Sequence, residues 1–212
     1  MRALLSTLLL AASGLAVLLV APTSSADTAQ RSSEPATSVV VVRPVRADGT
    51  PAPGWAVHRE RGRAFCDEAA PSAVRPGIVA CSPSAAYLPA CWRSAHHTVL
   101  CVRDPRAHEL VRMRYAGRFP QVAKPAVPVP LAMRLFNGAF CQTRVGGAWG
   151  VPKGHPHWVG FDSCDVGGDI FGPRRGDGVV RTHPLWWVRQ VEDLKDVHHR
   201  AVRTAYLVGT AR

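Results

Sequence analysis

The feature that most constrains how this 212-residue chain folds is its set of six cysteines, none of which belongs to a C-x-x-C pair. They are Cys66, Cys81, Cys91, Cys101, Cys141 and Cys164. The lack of a C-x-x-C pair weighs against zinc-ribbon and thioredoxin-like folds. An even count favours disulfides over a metal cluster if the chain is exported, which its first residues indicate below. Spacing alone does not select a connectivity. We expect sequential pairing, with the bridges Cys66–Cys81, Cys91–Cys101 and Cys141–Cys164.

The first 26 residues have the features of a secretory signal peptide. Arg2 is the only charged residue in this segment, Ala3 to Val20 is an apolar run, and small residues precede Asp27. We therefore expect cleavage before Asp27 and a protein that is secreted or held at the extracellular face of the cell envelope. The apolar run is longer than the usual signal core, so an uncleaved membrane anchor is the alternative.

The charge balance indicates the class of partner. The chain has 26 Lys and Arg against 15 Asp and Glu, a formal net charge of +11, and nearly all the basic residues are arginine. Arginine bias is typical of a GC-rich actinobacterial genome, but it does not explain the excess of basic over acidic residues. The charge favours an anionic envelope polymer, a glycan or lipid head groups, and the alternative is a basic protein without a specific anionic partner.

Two further expectations follow from the charge and from export. We expect no nucleic-acid partner, because the chain is exported and has no recognition module, and we expect membrane contact only if the signal segment is retained. The charged run His58–Arg63 forms either a basic recognition patch or a solvated face.

Short β-branched and aromatic runs separated by Gly and Pro predict a mainly β fold. We expect a small sandwich or barrel of short antiparallel strands stapled by disulfides, with a first strand over Ser38–Arg43 and a closing strand over Ala201–Val208. A central hairpin is predicted over Met133–Gln142, where Asn137-Gly138 suits a two-residue type I′ turn. No sustained helical periodicity follows the signal segment.

Composition divides the chain into five segments. Residues 1–26 are the signal peptide, and residues 27–54 are an N-terminal extension that we expect to be partly disordered. Residues 55–119 form a four-cysteine β subdomain, residues 120–130 a proline-rich connector, and residues 131–212 a two-cysteine β subdomain. The last of these contains a loop rich in Gly, Trp and His between its two cysteines.

That loop is the candidate ligand site. Its aromatic faces and basic donors suit an anionic or carbohydrate-type ligand, which they would bind by stacking and charge-assisted hydrogen bonds. The residues that we expect to contact the ligand are Trp149, Lys153, His155, His157 and Trp158. Packing of the tryptophans in the core is the alternative.

His155 and His157 also define an alternative function, a metal-dependent hydrolase. In an extended segment their imidazoles point to the same face, and Asp162 is the expected third ligand, with Asp165 or His183 in its place as alternatives. The H-x-H spacing is a weak signal, because histidines that are solvated or packed on the neighbouring tryptophan fit it equally well.

Other catalytic chemistry has little support in the sequence. Asp165, Asp169 and Asp177 lie among glycines but do not match a calcium-binding loop, and turn formation is their expected role. The segment around Ser163 resembles the serine segment of trypsin-like proteases, but Cys164 stands where that family has glycine, so the oxyanion geometry lacks support. We therefore expect no catalytic residue and no cofactor. A third interpretation is a structural envelope protein without a ligand site.

Several strings resemble uncharacterised secreted cysteine-containing proteins of mycobacteria and related actinobacteria. They are NGAFCQTRVGGAWG, HPHWVGFDSC, GDGVVRTHPLWWV and YLVGTA in the second half, and CSPSAAYLPACW and TVLCVRDPR in the first. The resemblance covers roughly Trp55 to Thr210 and implies export and a disulfide-bearing domain. It implies no activity, because that group has no assigned function or catalytic residues.

Overall fold

The computed structural model describes residues 35–83 and 86–212. The predicted signal peptide and the first part of the predicted extension, up to residue 34, lie outside these described residues. The described chain consists of β-strands joined by turns and loops and has no α-helix, so the predicted mainly β fold is confirmed. No helix in these two ranges is long and apolar enough to span a membrane.

The strands are numbered in chain order. They are β1 (Ser38–Arg46), β2 (Ala56–Ala69), β3 (Val79–Ser82), β4 (Leu88–Ser94), β5 (Thr98–Asp104), β6 (Glu109–Tyr115), β7 (Ala132–Leu135), β8 (Phe140–Thr143), β9 (Trp158–Cys164), β10 (Asp169–Pro173), β11 (Val179–Val180), β12 (Trp187–Glu192) and β13 (Asp196–Ala211).

Strands β2 to β6 form a closed barrel, which we call the five-strand barrel. Consecutive strands pair in antiparallel fashion, and β2 closes the barrel by pairing in parallel with β6. The long β2 has a register irregularity between Arg59 and Arg63, where the extra residues bend the strand around the barrel.

The other eight strands form one sheet in the order β1-β13-β7-β8-β9-β10-β12-β11. Because β12 pairs with both β10 and β13, six of these strands close into a second ring, which we call the six-strand ring. The 16-residue β13 pairs with β12, β7 and β1. The predicted first strand lies within β1 and the predicted closing strand within β13, and the two pair in parallel.

The barrel and the ring share part of their core. Successive residues of a strand point to opposite faces, so the barrel strands contribute to two buried clusters. One cluster contains the four barrel cysteines. The other joins Trp92 and Leu100 of the barrel to Val45 of β1 and Val208 of β13. A third cluster, which includes Met133, fills the ring.

Each disulfide joins two directly opposed residues on neighbouring antiparallel strands. The pairs are Cys66–Cys81, Cys91–Cys101 and Cys141–Cys164, with Cα–Cα distances of 4.2, 4.0 and 3.9 Å. This is the sequential pairing expected from the sequence. Disulfides of this kind indicate an oxidising, extracellular environment.

The central hairpin forms between β7 and β8, but its predicted type I′ turn is wrong. The Leu135 N–H donates to the Ala139 carbonyl (2.9 Å), so the loop has three residues rather than two. Of the Asn137-Gly138 pair, only Gly138 has a positive φ, at 93°. The Asn137 side chain instead accepts a bond from the Ala139 N–H (3.2 Å) and donates to Gln190 (3.1 Å). These bonds favour the three-residue loop with one left-handed glycine.

We expect replacement of both Cys141 and Cys164 by alanine to lower the free energy of unfolding by ~2–4 kcal/mol. The bridge restricts the unfolded chain across a sequence separation of 23 residues, and its removal releases that restriction. Urea unfolding under non-reducing conditions measures the loss. After reduction of all disulfides, the wild type and the variant should have similar free energies of unfolding. Equal free energies of unfolding before reduction would contradict the prediction.

Candidate functional site

Trp149, the first of the predicted ligand residues, is half-buried against β9. Gly160 leaves the space that it occupies, since a Cβ at that position would lie 2.0 Å from the indole ring. The Trp149 ring also makes an edge contact with Phe171 (centroids 5.4 Å apart), and the Arg144 guanidinium stacks on it at 4.6 Å from the centroid. Trp149 therefore orients Arg144 and does not present an open stacking face.

The other residues of the predicted ligand loop have different environments. His155 stacks on Trp158 with ring centroids 3.8 Å apart, and the Arg189 guanidinium lies 5.6 Å from the Trp158 centroid. His155 is thus packed on the neighbouring tryptophan, which was the alternative to metal binding. Lys153 and His157 are exposed, so they are accessible to an anionic ligand.

The predicted metal ligands His155, His157 and Asp162 are not brought together. Within residues 35–83 and 86–212, the only group of three or more potential ligand side chains with ligand atoms within 4.8 Å of one another consists of barrel cysteines, which form disulfides. Asp162 lies on β9, whereas His155 and His157 precede that strand in the loop. β9 also has a bulge, since Gly160 and Asp162 lie opposite the consecutive residues Phe171 and Ile170. Asp162 therefore faces the opposite side of the sheet from Gly160.

Two of the aspartates considered for calcium binding make turn and ion-pair contacts. Asp165 accepts the Phe140 N–H (2.8 Å) and pairs with Arg106 (2.8 Å), and these two contacts hold the pKa of its carboxyl below the usual range. Asp177 accepts the Val179 N–H (3.0 Å). Asp177 also forms an ion pair with Arg181.

Asp162 lines a cavity of about 230 Å³ where the barrel meets the ring, which we call the junction cavity. The side chain is 4% exposed. Burial raises the pKa of the Asp162 carboxyl from 3.8 to about 7; a hydrogen bond with Thr143 opposes this rise and the Asp177 charge adds to it. A carboxyl that is partly protonated at neutral pH is a frequent component of binding and catalytic sites.

The five-strand barrel presents a concentration of basic side chains that we call the basic face. It comprises Arg59, Arg63, Arg93, His96, His97, Arg112, Arg114 and Arg118. All but Arg63 line two open depressions of about 300 and 340 Å³ beside the β4–β5 turn. Glu60 is the one acidic residue in the lining of these two depressions, and it pairs with Arg103 (3.5 Å).

Like charges face each other across the parallel β2–β6 pair. Arg59 lies opposite Arg112, and Arg63 lies opposite Arg114. Like charges at directly opposed positions destabilise a sheet, and within the described ranges none of these four arginines forms an ion pair. At these four positions the described barrel therefore carries positive charge that no ion pair compensates.

The β4–β5 turn presents two histidines in an unfavourable backbone conformation. His96 and His97 have φ values of 53° and 56°, in the left-handed region that glycine adopts at little cost. Each such residue costs roughly 1–2 kcal/mol, and strain of this kind clusters at functional sites. His97 also stacks on Tyr115, with ring centroids 3.9 Å apart.

The sequence contained only part of the signal for this face. The run His58–Arg63 is visible as a charged segment, and β6 alternates apolar and basic residues. What the sequence does not show is that β2 and β6 pair in parallel, which places Arg59 beside Arg112.

Comparison with models of protein families, with characterised proteins and with solved structures finds no significant match for this chain. The basic face and the junction cavity are therefore interpreted from their own geometry.

Gly160→Ala should lower the free energy of unfolding by ~1–3 kcal/mol, because the added methyl group would displace the Trp149 ring from β9. Urea unfolding followed by tryptophan fluorescence measures both the loss and the altered indole environment. Gly176→Ala is the matched control, since its nearest contact would be an ordinary 3.7 Å and its φ needs no glycine. Equal effects of the two substitutions would contradict the packing described for Trp149.

The pKa of Asp162 predicts a specific pH dependence of stability. Between about pH 4 and pH 7 the folded protein keeps a proton that the unfolded chain releases, so the contribution of Asp162 to the free energy of unfolding falls as pH rises. The change from 3.8 to about 7 corresponds to roughly 4 kcal/mol.

Asp162→Asn removes this titration, so the variant should gain stability relative to the wild type as pH rises through that window. Urea unfolding at a series of pH values measures the difference. The exposed substitution Asp67→Asn should leave the wild-type pH profile unchanged. A difference between wild type and Asp162→Asn that does not vary with pH would refute the raised pKa.

Proposed function

We propose that this protein is an exported, non-catalytic binding protein for an anionic, carbohydrate-type polymer of the cell envelope, which it holds on the basic face of the five-strand barrel. The observation that carries the proposal is the opposition of Arg59 to Arg112 and of Arg63 to Arg114, none of which has an acidic partner in the described part of the chain. Such an arrangement opposes folding, and a bound polyanion would relieve the repulsion.

The chemistry of the face suits repeated anionic groups. Guanidinium groups bind carboxylate or phosphate through two parallel hydrogen bonds, which the point charge of lysine does not provide. Neighbouring strands lie about 4.8 Å apart, so arginines on β2 and β6 present a closely spaced row of donors. Open depressions on both sides of the β4–β5 turn accommodate a chain that passes across the surface.

An exposed aromatic side chain beside this face supports the proposal that the ligand has a sugar backbone. Phe65 is 64% exposed and follows Arg63 by two residues along β2. An exposed ring offers an apolar surface for the face of a pyranose. On the ring, Arg144 and the exposed Lys153 add positive charge in the loop where the sequence predicted the ligand, and His157 is exposed beside them.

Further support comes from the compartment. The disulfides belong to an oxidising environment, and the signal-like first 26 residues and the resemblance to secreted actinobacterial proteins favour export. The alternative metal-dependent hydrolase lacks a gathered ligand set in the described ranges, and a purely structural envelope protein has no need for the opposed arginines.

The test compares two double variants that remove equal charge. The first, Arg59→Gln with Arg114→Gln, removes two positive charges from the basic face. The second, Arg174→Gln with Arg175→Gln, removes two exposed arginines after β10. Binding to polygalacturonate, a uronate polymer, is measured by calorimetry at several salt concentrations. We expect affinity to fall with salt, and the first double variant to bind roughly 2- to 30-fold more weakly, at about 0.2–1 kcal/mol for each lost exposed ion pair.

The control double variant should bind nearly as well as the wild type. Equal losses in both double variants would show a general charge effect and contradict a localised site. Binding of neutral dextran as strongly as polygalacturonate would exclude charge recognition. Stronger binding to anionic lipid vesicles or to duplex DNA than to the uronate polymer would replace the proposed partner class.

A further inference from the structure

The junction cavity has an unusual lining for a chain with a net charge of +11. Its walls are mainly apolar, from Pro71, Pro89, Val129, Pro130 and Phe161. Four side chains with oxygen atoms also line it, namely Ser72, Thr143, Asp162 and Asp177, and the lining contains no basic side chain. A largely apolar pocket with a few polar groups is the usual form of a small-ligand site.

Asp162 has hydrogen-bonding capacity that the protein does not use. Its carboxyl bonds with Thr143, whose hydroxyl also lies 3.3 Å from the Leu131 carbonyl oxygen. A hydroxyl has one proton, so Thr143 donates to the Asp162 carboxyl only when it does not donate to Leu131. Ionised Asp162 would have several free acceptor positions beside the cavity, and it is stable only if a donor or cation fills them.

Ser72 provides a second, independent observation. The residue is 2% exposed, and its buried hydroxyl oxygen has no hydrogen-bond partner among residues 35–83 and 86–212. An unsatisfied buried hydroxyl is destabilising, and native proteins rarely keep one without a reason. Ser72 and Asp162 line the same cavity from the barrel side and the ring side respectively.

The neighbouring charges specify how much positive charge the cavity accepts. Asp177 is already paired with Arg181, which also stacks on Trp186 with its guanidinium 4.8 Å from the ring centroid. This pair is close to neutral, so Asp162 is the one carboxyl of the cavity without a cation. A ligand with a single positive charge would therefore neutralise the ionised Asp162.

We propose that the junction cavity binds a small organic monocation, with a primary ammonium group at Asp162 and Ser72 and a compact apolar body against Phe161 and the prolines. The volume of about 230 Å³ suits a ligand with one ring or a short alkyl chain. The Phe161 ring adds a favourable face for the cation. A metal ion fits less well, because most of the lining offers no ligand atom. This site is separate from the basic face and does not depend on polyanion binding.

The test uses benzylammonium and its neutral analogue benzyl alcohol as probes of nearly equal shape. Binding to the exported protein is followed by calorimetry and by NMR titration. We expect the wild type to bind benzylammonium at least tenfold more tightly than benzyl alcohol. Asp162→Asn should remove that preference, Ser72→Ala should weaken ammonium binding severalfold, and the exposed control Asp67→Asn should change neither affinity.

Proton release gives a readout that a general loss of packing does not reproduce. At slightly acidic pH, ammonium binding should release a proton from Asp162, measured as a buffer-dependent binding enthalpy in the wild type that is absent in Asp162→Asn. If Asp162→Asn fails to fold, the wild type still tests the proposal through its relative affinity for benzylammonium and benzyl alcohol and through proton release. The affinity of Ser72→Ala for benzylammonium gives a further test. Equal affinities for the two probes, no ammonium binding, or calcium binding in its place would overturn the proposal.

Discussion

The contact on which the rest of the structure depends is made by the backbone of β13 at Val208. Its N–H donates to the Ser72 carbonyl and its carbonyl accepts the Val74 N–H, both at 2.9 Å, so the β2–β3 connection of the barrel is joined to the ring. The Val208 side chain is fully buried in the cluster that joins the barrel to the ring. Because the same contact positions Ser72, it also determines one wall of the junction cavity.

Charge is separated between the two candidate sites. The basic face lies at the surface around the β4–β5 turn, where solvent reduces repulsion among arginines and leaves them available to a polyanion. The junction cavity contains the buried carboxyl of Asp162. Burial makes an unpaired carboxylate costly there, so Asp162 is partly protonated at neutral pH. The protein is strongly basic, yet the junction cavity favours a cation. This preference comes from the buried carboxyl of Asp162 and not from the overall composition.

Several features of the sites lay beyond sequence reasoning for identifiable reasons. The bulge at Phe161 turns Asp162 away from the face of Gly160, and no local signal marks where a strand gains an extra residue. Asn137 was expected to adopt a positive φ, but its side-chain bond to Gln190, which is distant in the chain, favours a different loop. His96 and His97 adopt left-handed conformations that their residue type disfavours, so a propensity argument predicts the opposite.

The sequence by itself determined the mainly β fold and the excess of positive charge, because each depends on composition or on patterns within a few tens of residues. The structure supplied the cysteine pairing, which the spacing of the cysteines does not select. Only the tertiary structure decided which charges meet. Parallel pairing of β2 with β6 joins residues far apart in the chain, and contact between the barrel and the ring brings Ser72 to the cavity of Asp162. Long-range pairing depends on the total burial of all strands, which no single segment encodes.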